Sequence, residues 1–388
     1  MKTMVIAIFS ESFTPIINGV SISIETFAKH LQELGCKLYF FAPRFPGYKD
    51  KNSSVFRFPS FRFPHHPEYP IPIPFSPRIF EAFSSLKVDI VHPQTPFLLG
   101  WTAKYLARRN GAALVTTYHT FYEEYSHYAY PIPSFLIKPF LRKLSKDFCN
   151  LCDAVVVPSK PAEQLLRSYG VYRPIEVIPT GLELDSWYRE ENPAFPRFSL
   201  GIPPDASILT YVGRLAVEKN VQILLSSFRK LLEKIPNVYL LFVGSGPQEE
   251  ELKGLAEELG VSDKCRFLGF VDREKVRECL SASDIFLFPS KTETQGLVMA
   301  EALAMGVPVI TADSFGARET IRDGLDGFIL PVEPDTFANA AEELLRNREK
   351  LNKMREAALK GAKRFSAKES ARKLLALYER VIEKNKTR

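Results

Sequence analysis

Ser290-Lys291-Thr292-Glu293-Thr294-Gln295-Gly296-Leu297-Val298-Met299-Ala300-Glu301-Ala302 comes straight after the apolar run of residues 284–288. A short Ile/Phe-rich run reads as a buried strand, and the stretch from Leu297 to Met305 reads as a helix. Strand, glycine-bearing loop and helix in that order make half of a βαβ unit. In open α/β sheets, ligands sit outside the carboxyl ends of the strands, where this loop falls. Gly296 permits a tight turn or a close backbone approach, and the first free N–H groups of the helix can face a phosphate. Glu293 and Glu301 bracket that anchor. At about 1.5 Å per helical residue, eight residues span at most ~12 Å. That separation suits two carboxylates holding opposite ends of a pyrophosphate-linked ligand, one on a sugar and one on a ribose, since carboxylates accept hydrogen bonds from hydroxyls. The alternative is a helix-start Glu and a solvated mid-helix Glu. The apolar neighbours Ala300, Ala302, Leu303 and Ala304 weigh against solvation of Glu301.

The same alternation extends along the chain. Strand-like runs occur at residues 5–9, 37–42, 89–92, 113–118 and 154–158, then at 208–212, 239–243, 265–268, 284–288 and 307–311. Amphipathic segments lie between them, for example 23–34 ended by Gly35 and 249–259 ended by Gly260. Strand–helix alternation implies parallel sheets with right-handed crossovers. Two such series imply two doubly wound domains, with a hinge near Ile178-Pro179-Thr180-Gly181 before a loop-like stretch at 185–204. Residues 1–180 form the first domain in this reading, 181–365 the second, and 366–388 a helix whose apolar face carries Leu374, Leu375, Leu377, Tyr378 and Val381. Between Pro59 and Pro77, seven of nineteen residues are proline, which predicts an extended surface loop and a candidate lip for an acceptor.

Composition bounds the function. The chain has 388 residues, 45% hydrophobic and 25% charged, as in soluble globular proteins with two domains. Its net charge of +6 is too small and too dispersed for a nucleic-acid binder, but it suits anionic ligands. Cys149 and Cys152 form a lone CxxC without further metal-spaced ligands, so buried thiols in a reducing cytosol are expected rather than a zinc or redox centre. The first apolar run is too short for a secretory signal and reads as a strand. No run approaches the ~20 residues that cross a bilayer, so any membrane contact is peripheral. Cytoplasmic placement is expected, with contact at the inner face of the cell membrane if the acceptor is a lipid.

Further loops follow predicted strands. Val212-Gly213-Arg214-Leu215-Ala216-Val217-Glu218-Lys219-Asn220 places a turn-forming glycine beside Arg214 and Lys219, either of which can bind phosphate. Val243-Gly244-Ser245-Gly246-Pro247 is a second glycine turn. After the first strand, Asn18-Gly19 can bring backbone N–H groups to a phosphate. After another, Tyr118-His119-Thr120-Phe121-Tyr122-Glu123-Glu124-Tyr125 sets a histidine at a strand's carboxyl end, where structural and catalytic roles are both open.

Together the Glu293/Glu301 pair, the Gly213–Lys219 block, the Gly244–Pro247 turn and the Asn18-Gly19 loop resemble glycosyltransferase family 4. The resemblance implies the GT-B fold, two Rossmann-like doubly wound α/β domains facing a central cleft, and retention of anomeric configuration. It implies that Arg214 and Lys219 bind the donor diphosphate and stabilise the departing charge, that Glu293 holds sugar hydroxyls, and that Glu301 holds the ribose. Gly296, Leu297 and Val298 would give backbone N–H groups to phosphate, with Gly213, Gly244 and Gly246 in the surrounding turns. Phe270 would border the nucleobase, Gly19 would close over the phosphate from the first domain, and His119 would lie beside the anomeric carbon. The C-terminal helix would cross back to the first domain. No Asp-x-Asp metal motif is present, so Arg214, Lys219 and a helix N-terminus would replace a divalent ion. No cofactor is expected, since the nucleotide-sugar is a substrate.

The segments at 118–125 and 290–297 are similar to those of bacterial diacylglycerol glycosyltransferases. Residues 133–152 place Phe135, Leu136, Ile137, Phe140, Leu141, Leu144 and Phe148 beside Lys138, Arg142, Lys143 and Lys146. Such a basic amphipathic helix can lie in an anionic lipid interface, or it can pack its apolar face inward. Transfer of glucose from UDP-glucose to a lipid such as diacylglycerol or a monoglycosyl-diacylglycerol is the expected reaction. A GDP-mannose- or UDP-sugar-dependent transferase with a polysaccharide or small-molecule acceptor is the alternative. A sugar-nucleotide epimerase would be expected to need added acid–base residues on the first domain. A dehydrogenase is excluded by the lack of G-x-G-x-x-G after the first strand. A catalytically silent binding partner is opposed by intact Lys219, Glu293 and Glu301.

Overall fold

The computed structural model describes residues 3–50, 52–63, 66–124, 133–187, 197 and 199–387. The chain divides into two compact units. One comprises residues 1–181 with 367–388, the other residues 182–366.

In unit 1 the described elements run β1 Val5–Phe9, α1 Gly19–Glu33, β2 Lys37–Pro43, β3 Val55–Phe58, β4 Ser60–Phe63, β5 His66–Pro72, α2 Pro77–Ser85 and β6 Ile90–Pro93. Next come α3 Leu98–Asn110, β7 Ala113–Thr117, α4 Ser134–Leu151, β8 Ala154–Val157, α5 Lys160–Ser168 and β9 Ile175–Val177. A seven-stranded parallel sheet has the order β3-β2-β1-β6-β7-β8-β9. Alternation along β1 explains its two faces. Ile6 and Ile8 enter one core with Ile24 and Leu31 of α1, while Ala7 and Phe9 enter the other with Leu99 and Leu106 of α3.

The proline-rich segment departs from the expected loop. Strands β4 and β5 pair antiparallel there, Ser60 opposite Pro72 and Phe61 opposite Ile71. A two-stranded ribbon has only edges, so its prolines can turn their missing donors away from the ladder. The side chains of residues 63–69 lie outside the described part, as do residues 125–130 of the aromatic loop and residues 188–196 and 198 of the stretch at 185–204.

In unit 2 the elements are β10 Ser207–Val212, α6 Gln222–Leu232, β11 Val238–Val243, α7 Glu249–Glu258, β12 Cys265–Phe267, α8 Arg273–Ala282 and β13 Ile285–Phe288. They continue with α9 Leu297–Ala304, β14 Val309–Ala312, α10 Phe315–Thr320, β15 Gly327–Leu330, α11 Pro334–Arg346 and α12 Arg348–Ala362. The parallel sheet order β12-β11-β10-β13-β14-β15 reverses direction between β10 and β13. Ligands bind at such a switch point in doubly wound sheets.

The last described helix, α13 Ala367–Lys386, belongs to unit 1. Leu374, Leu377, Tyr378 and Val381 make one buried stripe with Ile24, Leu31 and Ile90, and Leu375 packs at its margin. Burying an aliphatic side chain is worth about 1.5–3 kcal/mol. Leu374, Leu377 and Val381 together therefore contribute on the order of 5–9 kcal/mol gross, comparable with the whole stability of a domain.

Candidate functional site

In unit 2 three loops converge at the carboxyl edge of the sheet. Residues 213–220 follow β10, residues 244–248 follow β11 and residues 289–296 follow β13. The first two are stitched through their backbones: Leu215 N donates to Ser245 O at 3.1 Å, and Gln248 N to Leu215 O at 3.0 Å. A Cβ on Gly244 would meet Gly213 O at 2.1 Å, and one on Gly246 would meet Leu215 O at 2.2 Å. These glycines are required by loop-to-loop packing, whatever ligand the loops hold.

The loop at 213–220 is tied to β13 by Asn220, whose Nδ2 donates to Pro289 O at 3.4 Å. Lys219 is thereby carried to Glu293, and its Nζ pairs with Glu293 Oε1. Ser290 Oγ donates to the same oxygen at 3.1 Å. The backbone behind Glu293 is fixed as well, since Gly316 N donates to Glu293 O at 2.9 Å. Lys219 carries three donors, one of which is on Glu293. Arg214 is half-buried, and its carbonyl accepts from Tyr211 Oη at 2.9 Å.

Gly296 opens α9 in the left-handed region at φ +71° and supplies no side-chain cap. A Cβ there would meet only the movable end of the Met299 side chain, so it is the left-handed backbone rather than space that favours glycine. The N–H groups of Leu297 and Val298 belong to the first turn of α9, where a helix lacks acceptors of its own. Within α9, Glu301 is 7% exposed among buried Met299, Ala300, Ala302, Leu303 and Ala304. Arg273 Nη2 donates to its Oε1 at 2.8 Å, and the Arg273 guanidinium lies over the Trp187 ring at 5.4 Å. Burial raises the Glu301 carboxyl above its ordinary range, and Arg273 pulls it back down. Phe270 is 64% exposed in the turn after β12. Sequence reasoning missed Ser290, Arg273 and Trp187. Ser290 lay inside the quoted stretch, whereas Arg273 carries no spacing signal toward Glu301.

Unit 1 supplies a separate set of groups. Asn18 caps α1, its Oδ1 accepting from Val20 N and Ser21 N at 3.0 Å, with Gly19 the first helical residue. Those two N–H groups are therefore engaged by the cap, which limits what the Gly19 turn offers a phosphate. His119 follows β7 half-buried, with Nε2 at 2.7 Å from Gln94 Oε1. Removal from water pushes the ring down to about 4, so it is neutral near pH 7. Glu11, after β1, accepts from Thr95 Oγ1 and from Leu99 N at 2.7 Å, and burial lifts it to about 7. Neither Gln94 nor Glu11 stood out in the sequence, because each acts through a partner far along the chain.

The basic segment of unit 1 is the helix α4, with Pro139 inside it. Its apolar residues divide: Phe148 is buried against α3, while Phe135, Leu136 and Phe140 are 72%, 56% and 60% exposed. Arg142 pairs with Glu123, and Lys143 pairs with Asp147 at 2.6 Å. All five cysteines are free and buried, and burial pushes the Cys149 thiol up to about 12.

Two parallel sheets, with phosphate-suited loops at the carboxyl edge of the second, define a nucleotide-sugar-dependent transferase of the GT-B fold. Residues 17–186 match the model of Glycosyltransferase Family 4, and residues 194–361 match that of Glycosyl transferases group 1. An alpha-monoglucosyldiacylglycerol synthase of Streptococcus pneumoniae (strain ATCC BAA-255 / R6) is 32% identical over 88% of this chain and 78% of that protein. One of the same description from Acholeplasma laidlawii is 29% identical over 98% of both. The sucrose-phosphate synthase of Thermosynechococcus elongatus superposes with a TM-score of 0.81 at 23% identity, covering 98% of this chain and 99% of that one. The chain belongs to glycosyltransferase family 4 and is a hexosyltransferase close to the diacylglycerol glycosyltransferases.

Proposed function

We propose that this enzyme transfers glucose from UDP-glucose, with retention, to a membrane lipid, diacylglycerol or a monoglycosyl-diacylglycerol. The hard step is departure of the nucleoside diphosphate from an oxocarbenium-like centre. Lys219, Arg214 and the open N-terminus of α9 supply positive potential to the leaving diphosphate. Glu293, braced by Lys219 and Ser290, accepts hydroxyl hydrogen bonds from the sugar. Glu301, held by Arg273, accepts from the ribose. In unit 1, the surface around α4 receives the lipid.

The observation that carries the lipid acceptor is the apolar surface of unit 1. On α3, Trp101 and Tyr105 are exposed one turn apart. Tyr105 contacts Phe80 with centroids 5.8 Å apart, Phe80 contacts the exposed Phe75 at 5.4 Å, and Trp101 meets Phe148 of α4 at 5.7 Å. Exposed aromatics on α3, together with the exposed Phe135, Leu136 and Phe140 of α4, suit an acyl–headgroup boundary. Both relatives from the two bacteria carry names that specify a monoglucosyldiacylglycerol product. Among the described residues, no helix is long and apolar enough to cross a membrane, so attachment would be peripheral.

The test presents the protein with vesicles of phosphatidylglycerol, phosphatidylcholine and diacylglycerol, offers UDP-glucose or GDP-mannose, and identifies product by mass spectrometry. Glucosyl-diacylglycerol from UDP-glucose is expected, with vesicle binding that weakens in high salt and in the Phe140→Ser variant. Activity on a soluble sugar acceptor without vesicle binding would overturn the lipid assignment. Turnover of GDP-mannose alone would overturn the donor.

A further inference from the structure

Strand β10 ends beneath the loop that carries Arg214 and Lys219, and its last fully buried side chain is a tyrosine. Alternation along the strand sends Leu209 and Tyr211 into one apolar core of unit 2 and Ile208 into another. The Tyr211 ring is stacked on Phe288 with centroids 6.0 Å apart and lies tilted to Phe242 at 6.3 Å. A phenol taken wholly out of water needs a partner for its hydroxyl. That partner is the carbonyl of Arg214, which accepts from Tyr211 Oη at 2.9 Å. The other end of the same peptide unit is held as well, since Leu215 N donates to Ser245 O at 3.1 Å. Leu215 O accepts from Gln248 N at 3.0 Å, and Ala216 O accepts from Lys219 N at 2.9 Å. Three successive carbonyls, at 214, 215 and 216, are therefore bonded, the last two by backbone and the first by the tyrosine side chain. Gly213 leaves room for this contact, for a Cβ there would meet Oη at 2.8 Å.

We propose that Tyr211 is a positioning residue whose hydroxyl fixes the peptide between Arg214 and Leu215 and thereby aims the Arg214 side chain, and Lys219 after it, at the leaving diphosphate. This rests on the reading of Arg214 and Lys219 as the groups that meet that diphosphate. Being fully buried, the tyrosine acts through the loop and not on substrate. Burial pushes its phenol far above its ordinary range; Lys219 pulls it down, while Glu293 and Glu218 push it up. The hydroxyl is thus a neutral donor and contributes geometry, not charge. Donors aimed at developing charge help most when they are already in place, and a misplacement of about 1 Å can cost about a hundredfold in rate. Phenylalanine at this position would keep the ring, both aromatic contacts and the core volume, and would remove from the Arg214 carbonyl the one donor supplied from below.

The experiment compares the full-length parent with Tyr211→Phe, alone and combined with Arg214→Ala. Hydrogen exchange read by mass spectrometry, with no ligand added, should show residues 213–219 exchanging about tenfold faster in Tyr211→Phe, the scale of one lost hydrogen bond, with residues 238–243 of β11 unchanged. With UDP-glucose and the diacylglycerol vesicles described above, kcat should fall about tenfold with little change in KM for UDP-glucose, and the loss should be smaller on the Arg214→Ala background. Unchanged exchange at 213–219, or an equal rise in β11, would overturn the proposal, the second because it marks a general loss of fold. An unchanged kcat, or the full loss repeated on the Arg214→Ala background, would overturn it too. Parent-like turnover in both Arg214→Ala and Lys219→Ala would instead reject the reading of the diphosphate pair, and it shows in variants that retain Tyr211. The exchange measurement needs no substrate, so failure of the donor or acceptor assignment in the vesicle assay would leave its result standing.

Discussion

Arg273→Met removes the partner of a carboxylate that has almost no access to water. Glu301 is 7% exposed, and its bond from Arg273 Nη2 is 2.8 Å long. A hydrogen bond to a charged group is worth about 1.5–3 kcal/mol. The side chain of Arg273 is 44% exposed, which favours the lower half of that range. For a unit the size of residues 182–366, each kcal/mol shifts the melting temperature by about 2–4 °C, so a loss of about 1.5–2.2 kcal/mol at pH 8 should lower it by roughly 3–9 °C. The pH dependence has a definite sign. Burial already holds Glu301 above its unfolded value, and removing Arg273 raises it further. A carboxyl raised on folding destabilises at pH above its folded value, and the cost is relieved as pH falls back toward the unfolded value. The deficit of Arg273→Met against the parent should therefore shrink between pH 8 and pH 5, while Arg273→Lys, which retains the charge, should lose less at every pH. Differential scanning calorimetry of the full-length protein reads this directly. Equal melting temperatures for parent and Arg273→Met at pH 8, or a deficit that grows on acidification, would refute the reasoning.

Lys219→Ala should lower turnover by on the order of 2–4 kcal/mol of transition-state stabilisation, measured as kcat on a confirmed donor. An unchanged kcat would remove Lys219 from the diphosphate site. Glu301→Ala should weaken binding of UDP itself, whereas Glu293→Ala should spare UDP and impair the intact sugar donor; calorimetry with both ligands decides, and equal effects would refute the division. If the diphosphate charge is met as proposed by Arg214, Lys219 and the start of α9, EDTA should leave activity largely intact, and complete loss restored by magnesium or manganese would reveal a metal requirement.

The parallel sheets were legible because buried strands are written as unbroken apolar runs, as at Val5–Phe9 and Val238–Val243. Strand β9 was not, since its three residues Ile175–Val177 are half-buried and too short to show a pattern. The hairpin at β4 and β5 was hidden by prolines that exclude a central strand but not an exposed ribbon. Glu301 stood out as a lone carboxylate on an apolar helix. Its partner did not, for Arg273 meets it only through the packing of α8 beside the sheet. Gln94 and His119 pair across neighbouring strands, a relation set by register, which no local window contains. The outward turn of Phe140 and the inward turn of Phe148 could not be told apart by helical spacing alone.

The membership of α13 in unit 1 has a consequence for how the protein is made. The sheet face that carries Ile6, Ile8 and Ile90 is finished by a helix encoded after all of unit 2. At 5–20 residues per second, a ribosome needs about 10–40 s to translate residues 182–366. Throughout that interval α1 covers this face of the nascent first sheet only in part, and the apolar strip that α13 will occupy stays open, while unit 2 can close on its own. Birth order and folding order therefore diverge: the segment begun first is the segment completed last. Trigger-type chaperones would be expected to dwell on residues 1–181 and to leave only as α13 docks.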